Sequence, residues 1–318
     1  WSKRASERLA GFFECDLKAY FVATGTAANT LALASMAKPW ESILCHAESH
    51  IANDESTAPE FMTGGARLVP LAAGHGKLET DDLKGYFSRA GSLVPHNSRV
   101  AALSITQSSE LGMVYTPDEV TALTQVAQTH GVSVHMDGAR FANAVAATGC
   151  SPAQLSWQAG VDVLCLGATK CGALAAEAVI FFNHKLADGF IYRRKRSGHL
   201  LSKGRLFGAQ FEGWLADNHW LDLAKHANAM AGQLAFQLQQ LPGVRMAWPT
   251  QANEVFAVIP KDLHRRLIAA GAVYYEWPAT ALAQHDELAS NEVLVRMVTS
   301  FETHPEEIAR LIQSAGGA

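Results

Sequence analysis

Lys170 follows the apolar run Val161-Asp162-Val163-Leu164-Cys165-Leu166 and lies within Gly167-Ala168-Thr169-Lys170-Cys171-Gly172, a turn of small residues. An amine delivered there by a buried strand is desolvated, which disfavours its charged form and suits a nucleophile that forms a Schiff base. Taken alone, a strand-end lysine that snorkels to water is the commoner case. Upstream, Val132-Ser133-Val134-His135-Met136 runs into Asp137-Gly138-Ala139-Arg140. A carboxylate and a guanidinium at a strand end suit a heteroaromatic cofactor: the acid keeps a pyridine nitrogen protonated and the arginine pairs with a ring oxygen. A helix N-cap aspartate beside a surface arginine is the competing explanation. The turn Thr24-Gly25-Thr26 opens a helix, where backbone N–H groups and a hydroxyl favour a phosphate. Arg296 sits in the apolar strand Val295-Arg296-Met297-Val298 and needs an anion, from a ligand or from an internal salt bridge.

These residues require strands that end together. Short β-branched runs alternate with helical patterns over the first two-thirds of the chain, the signature of βαβ units and a mostly parallel sheet. The predicted strands are Ala19–Ala23, Ile43–Cys45, Arg67–Val69, Val100–Ile105, Ser133–Met136, Val161–Leu166 and Ala178–Phe182. Their carboxyl ends define the ligand crevice of an open α/β sheet. Helices are predicted over Thr26–Ala37, Thr116–Thr129 and Phe207–Gln240, the last as one or two pieces ending before Pro242-Gly243. Beyond it the pattern is strand (Val255–Ile259), helix (Lys261–Ala270), strands (Val273–Tyr275, Val293–Val298) and helix (Pro305–Ser314), a small α+β unit.

Composition narrows the partners. Of 318 residues, 48% are hydrophobic and 18% charged, which supplies a large core and excludes intrinsic disorder. The net charge is −4 and Arg193-Arg194-Lys195-Arg196 is the one basic block, so nucleic acid is not an expected partner. No apolar run is long enough for a membrane span. Five scattered cysteines without a Cys-x-x-Cys pair fit reduced thiols in a cytoplasm and argue against zinc; no metal is expected.

In order along nearly the whole chain, Thr24-Gly25-Thr26, Cys45-His46-Ala47-Glu48-Ser49-His50, His135-Met136-Asp137-Gly138-Ala139-Arg140, Lys170 and Val295-Arg296-Met297-Val298-Thr299-Ser300 resemble the threonine aldolase family. That family belongs to the pyridoxal 5′-phosphate (PLP) enzymes of fold type I. Ser104-Ile105-Thr106-Gln107 and Tyr192-Arg193-Arg194-Lys195-Arg196 are most similar to its branch that includes phenylserine aldolases. The resemblance implies an α/β PLP-dependent transferase fold: a large domain over residues 1–240 with a mostly parallel seven-stranded sheet, and a small C-terminal α+β domain over residues 241–318. It implies that Lys170 bonds PLP, Asp137 pairs with the pyridine nitrogen, Arg140 contacts the ring oxygen, Gly25 and Thr26 hold the phosphate, and His50 stacks on the ring. Arg296 would clamp the substrate carboxylate, and Arg205 would reach a phosphate across a subunit interface, with Lys203 the weaker candidate.

The implied reaction is retro-aldol cleavage of an L-β-hydroxy-α-amino acid, of threonine, allo-threonine or phenylserine type, to glycine and an aldehyde. His50 is expected to take the hydroxyl proton, directly or through a water or the phosphate, with Asp54 supporting it or contacting the substrate hydroxyl. Many family members carry a histidine in the loop that here reads Thr106-Gln107-Ser108-Ser109-Glu110, which leaves Glu110 or a water as substitutes. Two other readings remain open: β-elimination or transamination on the same scaffold, and a truncated relative that binds PLP or a partner without turnover. The family's chains carry a further segment ahead of the position of Trp1, so an N-terminal piece is expected to be missing. A homodimer or homotetramer is expected, because this fold builds its sites at a two-fold interface.

Overall fold

The computed structural model describes residues 1–89, 93, 95–282 and 287–316. The predicted C-terminal domain therefore includes residues 283–286 and 317–318, which lie outside the described residues. The first seven strands of the chain are β1 (Lys18–Val22), β2 (Glu41–His46), β3 (Arg67–Leu71), β4 (Arg99–Thr106), β5 (Ser133–Gly138), β6 (Val163–Gly167) and β7 (Glu177–Phe181). They form one sheet in the order β1-β7-β6-β5-β4-β2-β3. Neighbours from β6 through to β3 are parallel, and β7 alone runs against both β6 and β1. The central strands β5, β6 and β7 are almost wholly buried, as expected for strands covered on both faces.

Helix Gly25–Met36 covers one face. It is buried nearly all round, so its Ala- and Leu-rich sequence reads as a core helix rather than an amphipathic one. It packs with Ile43, Val163, Val179 and Phe181. The other face carries helices Ser2–Phe13, Pro117–Thr129, Phe141–Thr148 and Arg205–Trp214, whose Leu9, Phe13, Leu123, Phe141 and Phe211 join the larger core. Helix Pro117–Thr129 begins where Thr116 and Glu119 bond each other's backbone N–H groups in a capping box, with Pro117 in the first turn.

The remaining strands are β8 (Arg245–Met246), β9 (Glu254–Pro260), β10 (Tyr275–Glu276) and β11 (Glu292–Val298), an antiparallel sheet in the order β10-β11-β9-β8. Of the one or two pieces predicted over Phe207–Gln240 there are two, Arg205–Trp214 and His219–Leu238, separated at Asp217 and Asn218, both in left-handed conformation. Asp and Asn tolerate that region better than other non-glycine residues, which made the break invisible to apolar spacing. Helix His219–Leu238 serves both units, with Trp220 and Ala224 in the core of the large sheet and Leu234 and Leu238 in that of the small one. The predicted strand Val273–Tyr275 is shorter and shifted, to Tyr275–Glu276, and helix Ser2–Phe13 and strand β8 were not anticipated.

Candidate active site

The carboxyl ends of the parallel strands deliver most of the predicted residues to one place. Asp137 is the penultimate residue of β5, and Lys170 stands in a short 3-10 turn after β6. Two glycines permit this convergence. A Cβ on Gly138 would lie 2.8 Å from the Cys165 carbonyl, and one on Gly167 would lie 2.9 Å from Ala139 Cα. A side chain at either position would force the ends of β5 and β6 apart.

Asp137 is buried and held by neutral donors. Its Oδ1 accepts the Ala139 N–H at 3.0 Å and its Oδ2 accepts from Asn29 Nδ2 at 2.7 Å. The same Nδ2 donates to Glu55 Oε1 at 2.8 Å, and Glu55 Oε1 lies 2.9 Å from His50 Nδ1. This hydrogen bond to Glu55 raises the His50 pKa above its ordinary 6.5, and burial opposes it. Glu55 in turn is pushed up, first by its own burial. Glu110 accepts the His50 backbone N–H at 2.7 Å, and burial followed by the charge of Asp137 lifts its pKa to about 7.

Lys170 is exposed by surface area, yet enough protein crowds its amine for burial, followed by the Arg140 charge, to lower its pKa. Glu177, at the start of β7 opposite Gly167, is a further buried acid beside this turn, raised to about 7 by burial. Behind Asp137, His135 is fully buried between Ser104 Oγ at 2.9 Å and Cys165 Sγ at 3.2 Å. Burial lowers its pKa to about 4, so it is neutral and structural.

The small sheet contributes the opposite charge balance. Buried Glu254, at the head of β9, accepts on one oxygen from Arg296 Nε at 2.9 Å and from a terminal guanidinium nitrogen of Arg296, and the same oxygen forms an ion pair with a terminal nitrogen of Arg140 at 3.2 Å. Glu254 pairs with Val298 across β9 and β11, so Arg296 is its diagonal neighbour on the ladder. The Arg296 guanidinium also lies over the Trp277 ring, 5.0 Å from its centroid. Two guanidiniums share one carboxylate, so within this cluster the cations outnumber the acid by one. The anion inferred for Arg296 thus includes an internal partner, and the surplus charge is suited to a second, external one.

Two predictions are modified, those for Asp54 and for the partners of Arg140 and Arg296. Asp54 is exposed at the end of the short helix His50–Asn53, and the acid that supports His50 is Glu55, one residue on. A spacing of four from His50 suggested Asp54; the chain turns after Asn53, so the inward side chain is the next one. Arg205 is exposed at the start of its helix, in a cleft with Ser2, Tyr20, His199 and Phe207 whose walls contain none of the residues around Lys170. Arg140 and Arg296, assigned separate partners, share Glu254. Sequence reasoning missed Asn29, Glu55, Glu177 and Glu254, although a polar residue amid the apolar runs Ala27–Ala34 and Glu254–Ile259 was a usable signal.

The site fits PLP. Thr24 caps helix Gly25–Met36 by accepting the Ala27 N–H at 3.1 Å, which leaves the N–H groups of Gly25 and Thr26 without intrahelical acceptors. A Cβ on Gly25 would meet nothing within 4 Å, so room remains at that turn. Arg140 Nε and Glu254 Oε2 are buried without partners. Donors for a phosphate, an acid for a ring nitrogen and a desolvated amine are all present.

The family model described as beta-eliminating lyase matches residues 1–261. The chain is 41% identical over 275 residues to a low specificity L-threonine aldolase of Pseudomonas aeruginosa, covering 86% of this chain and 79% of that one. A protein of the same name from a Pseudomonas strain is equally similar. Among solved structures, a Leishmania major threonine aldolase superposes with a TM-score of 0.90 at 27% identity, covering 99% of this chain and 88% of the other. Family match, sequence identity and superposition agree with the site geometry: this chain belongs to the beta-eliminating lyase family, within its threonine aldolase group.

Proposed function

We propose that this protein is a PLP-dependent aldolase that cleaves L-β-hydroxy-α-amino acids to glycine and an aldehyde. The observation that carries the reading is the placement of Asp137, Lys170 and His50 around one set of strand ends, facing a guanidinium pair with one surplus positive charge. Bound PLP would supply the electron sink for the pair released when the Cα–Cβ bond breaks.

The chain's own residues divide the remaining work. Lys170, its amine shifted toward the neutral form, holds the cofactor covalently. The open N–H groups of Gly25 and Thr26 take the phosphate, and Asp137 keeps the ring nitrogen protonated. Arg296 and Arg140 receive the substrate carboxylate, which supplies the second anion that Glu254 leaves room for. His50 takes the proton from the β-hydroxyl oxygen, directly or through a water, and Glu55 fixes the tautomer by accepting from Nδ1 so that Nε2 is the working nitrogen.

An aryl-serine is the substrate we assign as preferred over threonine, on the likeness of the Ser104–Gln107 and Tyr192–Arg196 segments to the phenylserine branch. A homo-oligomer is supported by exposed Phe61, Tyr192, Leu200, Leu201 and Leu206, large apolar side chains of the kind that an interface would cover. In such an assembly Arg205 would act on a neighbouring subunit's phosphate. Five free thiols support a reducing compartment such as the cytoplasm; among the described residues no helix is long and apolar enough to cross a membrane. The test is product analysis with L-threonine and L-phenylserine. Glycine with acetaldehyde or benzaldehyde is expected; a keto acid or ammonia as the main product would move the protein to elimination or transamination.

A further inference from the structure

Asn29 lies in helix Gly25–Met36 and is 2% exposed. Its Nδ2 donates to both Asp137 Oδ2 at 2.7 Å and Glu55 Oε1 at 2.8 Å, while its Oδ1 is buried without a partner. The orientation of the amide follows from its neighbours, because ionised carboxylates only accept. Both acids are buried, the Glu55 side chain completely. Two like charges this close, away from water, ordinarily cannot both persist, and one takes up a proton. A neutral group that donates to each favours the charged form of each, without adding a cation that would compete for a pyridinium nitrogen or for His50. Glu55 Oε1 then continues the line to His50 Nδ1 at 2.9 Å.

We infer that Asn29 is a positioning residue: it keeps Glu55 and Asp137 ionised together and so couples the proton on His50 to the acid that faces the cofactor ring. The coupling is a property of the chain; its consequence for the ring rests on the function proposed above. His50 is faced by Glu55 from its own segment, by Glu110 from the loop after β4, by Asp137 from β5 and by Lys170 from the turn after β6. Glu110 and Lys170 make no bond to Asn29, so replacing Asn29 changes only the link between Glu55 and Asp137. Without the amide one of the two acids takes up a proton, and His50, facing one negative charge fewer, binds its own proton less tightly.

The experiment follows the His50 imidazole by NMR across a pH titration of the cofactor-free protein. Asn29→Leu preserves volume and removes both donors; Asn29→Ser keeps one. The midpoint is expected to fall by about half a unit or more in Asn29→Leu, because one of the two acids that raise it takes up a proton, and by less in Asn29→Ser. An unchanged or raised midpoint in a variant that unfolds at the wild-type temperature overturns the inference, and Asn29→Ser decides by the same criterion if Asn29→Leu does not fold. With PLP added, Asn29→Leu should lower kcat about tenfold or more, with KM for the amino acid within about threefold, and should move the pH midpoint of the visible absorption band. Absence of any visible band in the wild type would sink the cofactor half of the inference, while the NMR midpoint would judge the coupling separately.

Discussion

Two ends of the site hold their buried carboxylates in opposite ways. On the large sheet, Asp137 and Glu55 are tied by the neutral amide of Asn29, an excess of negative charge. On the small sheet, Glu254 is shared by the cations Arg140 and Arg296, an excess of positive charge. Each end is unbalanced in the sense its ligand would correct: a protonated ring nitrogen and a histidine proton at one, a substrate carboxylate at the other. The difference teaches that polarity across the cleft is set by what bridges the acids, since both ends contain buried acids.

Lys170→Ala removes the group between the two ends and is expected to abolish turnover and the visible band of bound PLP while leaving the fold intact by circular dichroism; activity near the wild-type level would break the account outright. Asp137→Asn keeps the size but removes the negative charge at the acid-rich end, and kcat should fall about 10²- to 10⁴-fold in steady-state assays. Arg296→Leu tests the other end. Loss of hydrogen bonds from a charged group costs about 1.5–3 kcal/mol, so KM for the amino acid should rise roughly 10- to 150-fold with a smaller change in kcat. An unchanged KM would move the carboxylate site elsewhere.

The smallest effect concerns pH. A base must be neutral, so activity should rise with pH through the His50 pKa, which Glu55 holds above the ordinary 6.5. Glu55→Gln removes the largest cause of that elevation. The acid limb of the kcat/KM profile should therefore move to lower pH, and a limb that stays in place would assign the base to another group.

The half of the site on the large sheet was legible because strand ends, glycines and single charged residues leave local marks: Asp137, Arg140, Lys170 and Gly25 all stand where short apolar runs stop. The small-sheet half was only half legible. Arg296 betrayed itself as a charge in an apolar strand, but its partner Glu254 lies 42 residues away on another strand, and no spacing rule joins them. Asn29 and Glu55 were hidden for a related reason, since their importance arises from a contact 108 residues long in sequence, between Asn29 and Asp137. The supporting role expected of Asp54 fell to Glu55 on the geometry of one short turn. Arg205 is exposed in a cleft that contains none of the residues around Lys170, so a single sequence carries no local sign of whether a second subunit uses it.

The account stands most directly on the fate of the Cα–Cβ bond. PLP-loaded protein incubated with L-phenylserine should yield glycine and benzaldehyde in equal amounts, and the Lys170→Ala protein neither. Release of ammonia with a keto acid, or PLP bound with no carbon–carbon cleavage at all, would contradict it.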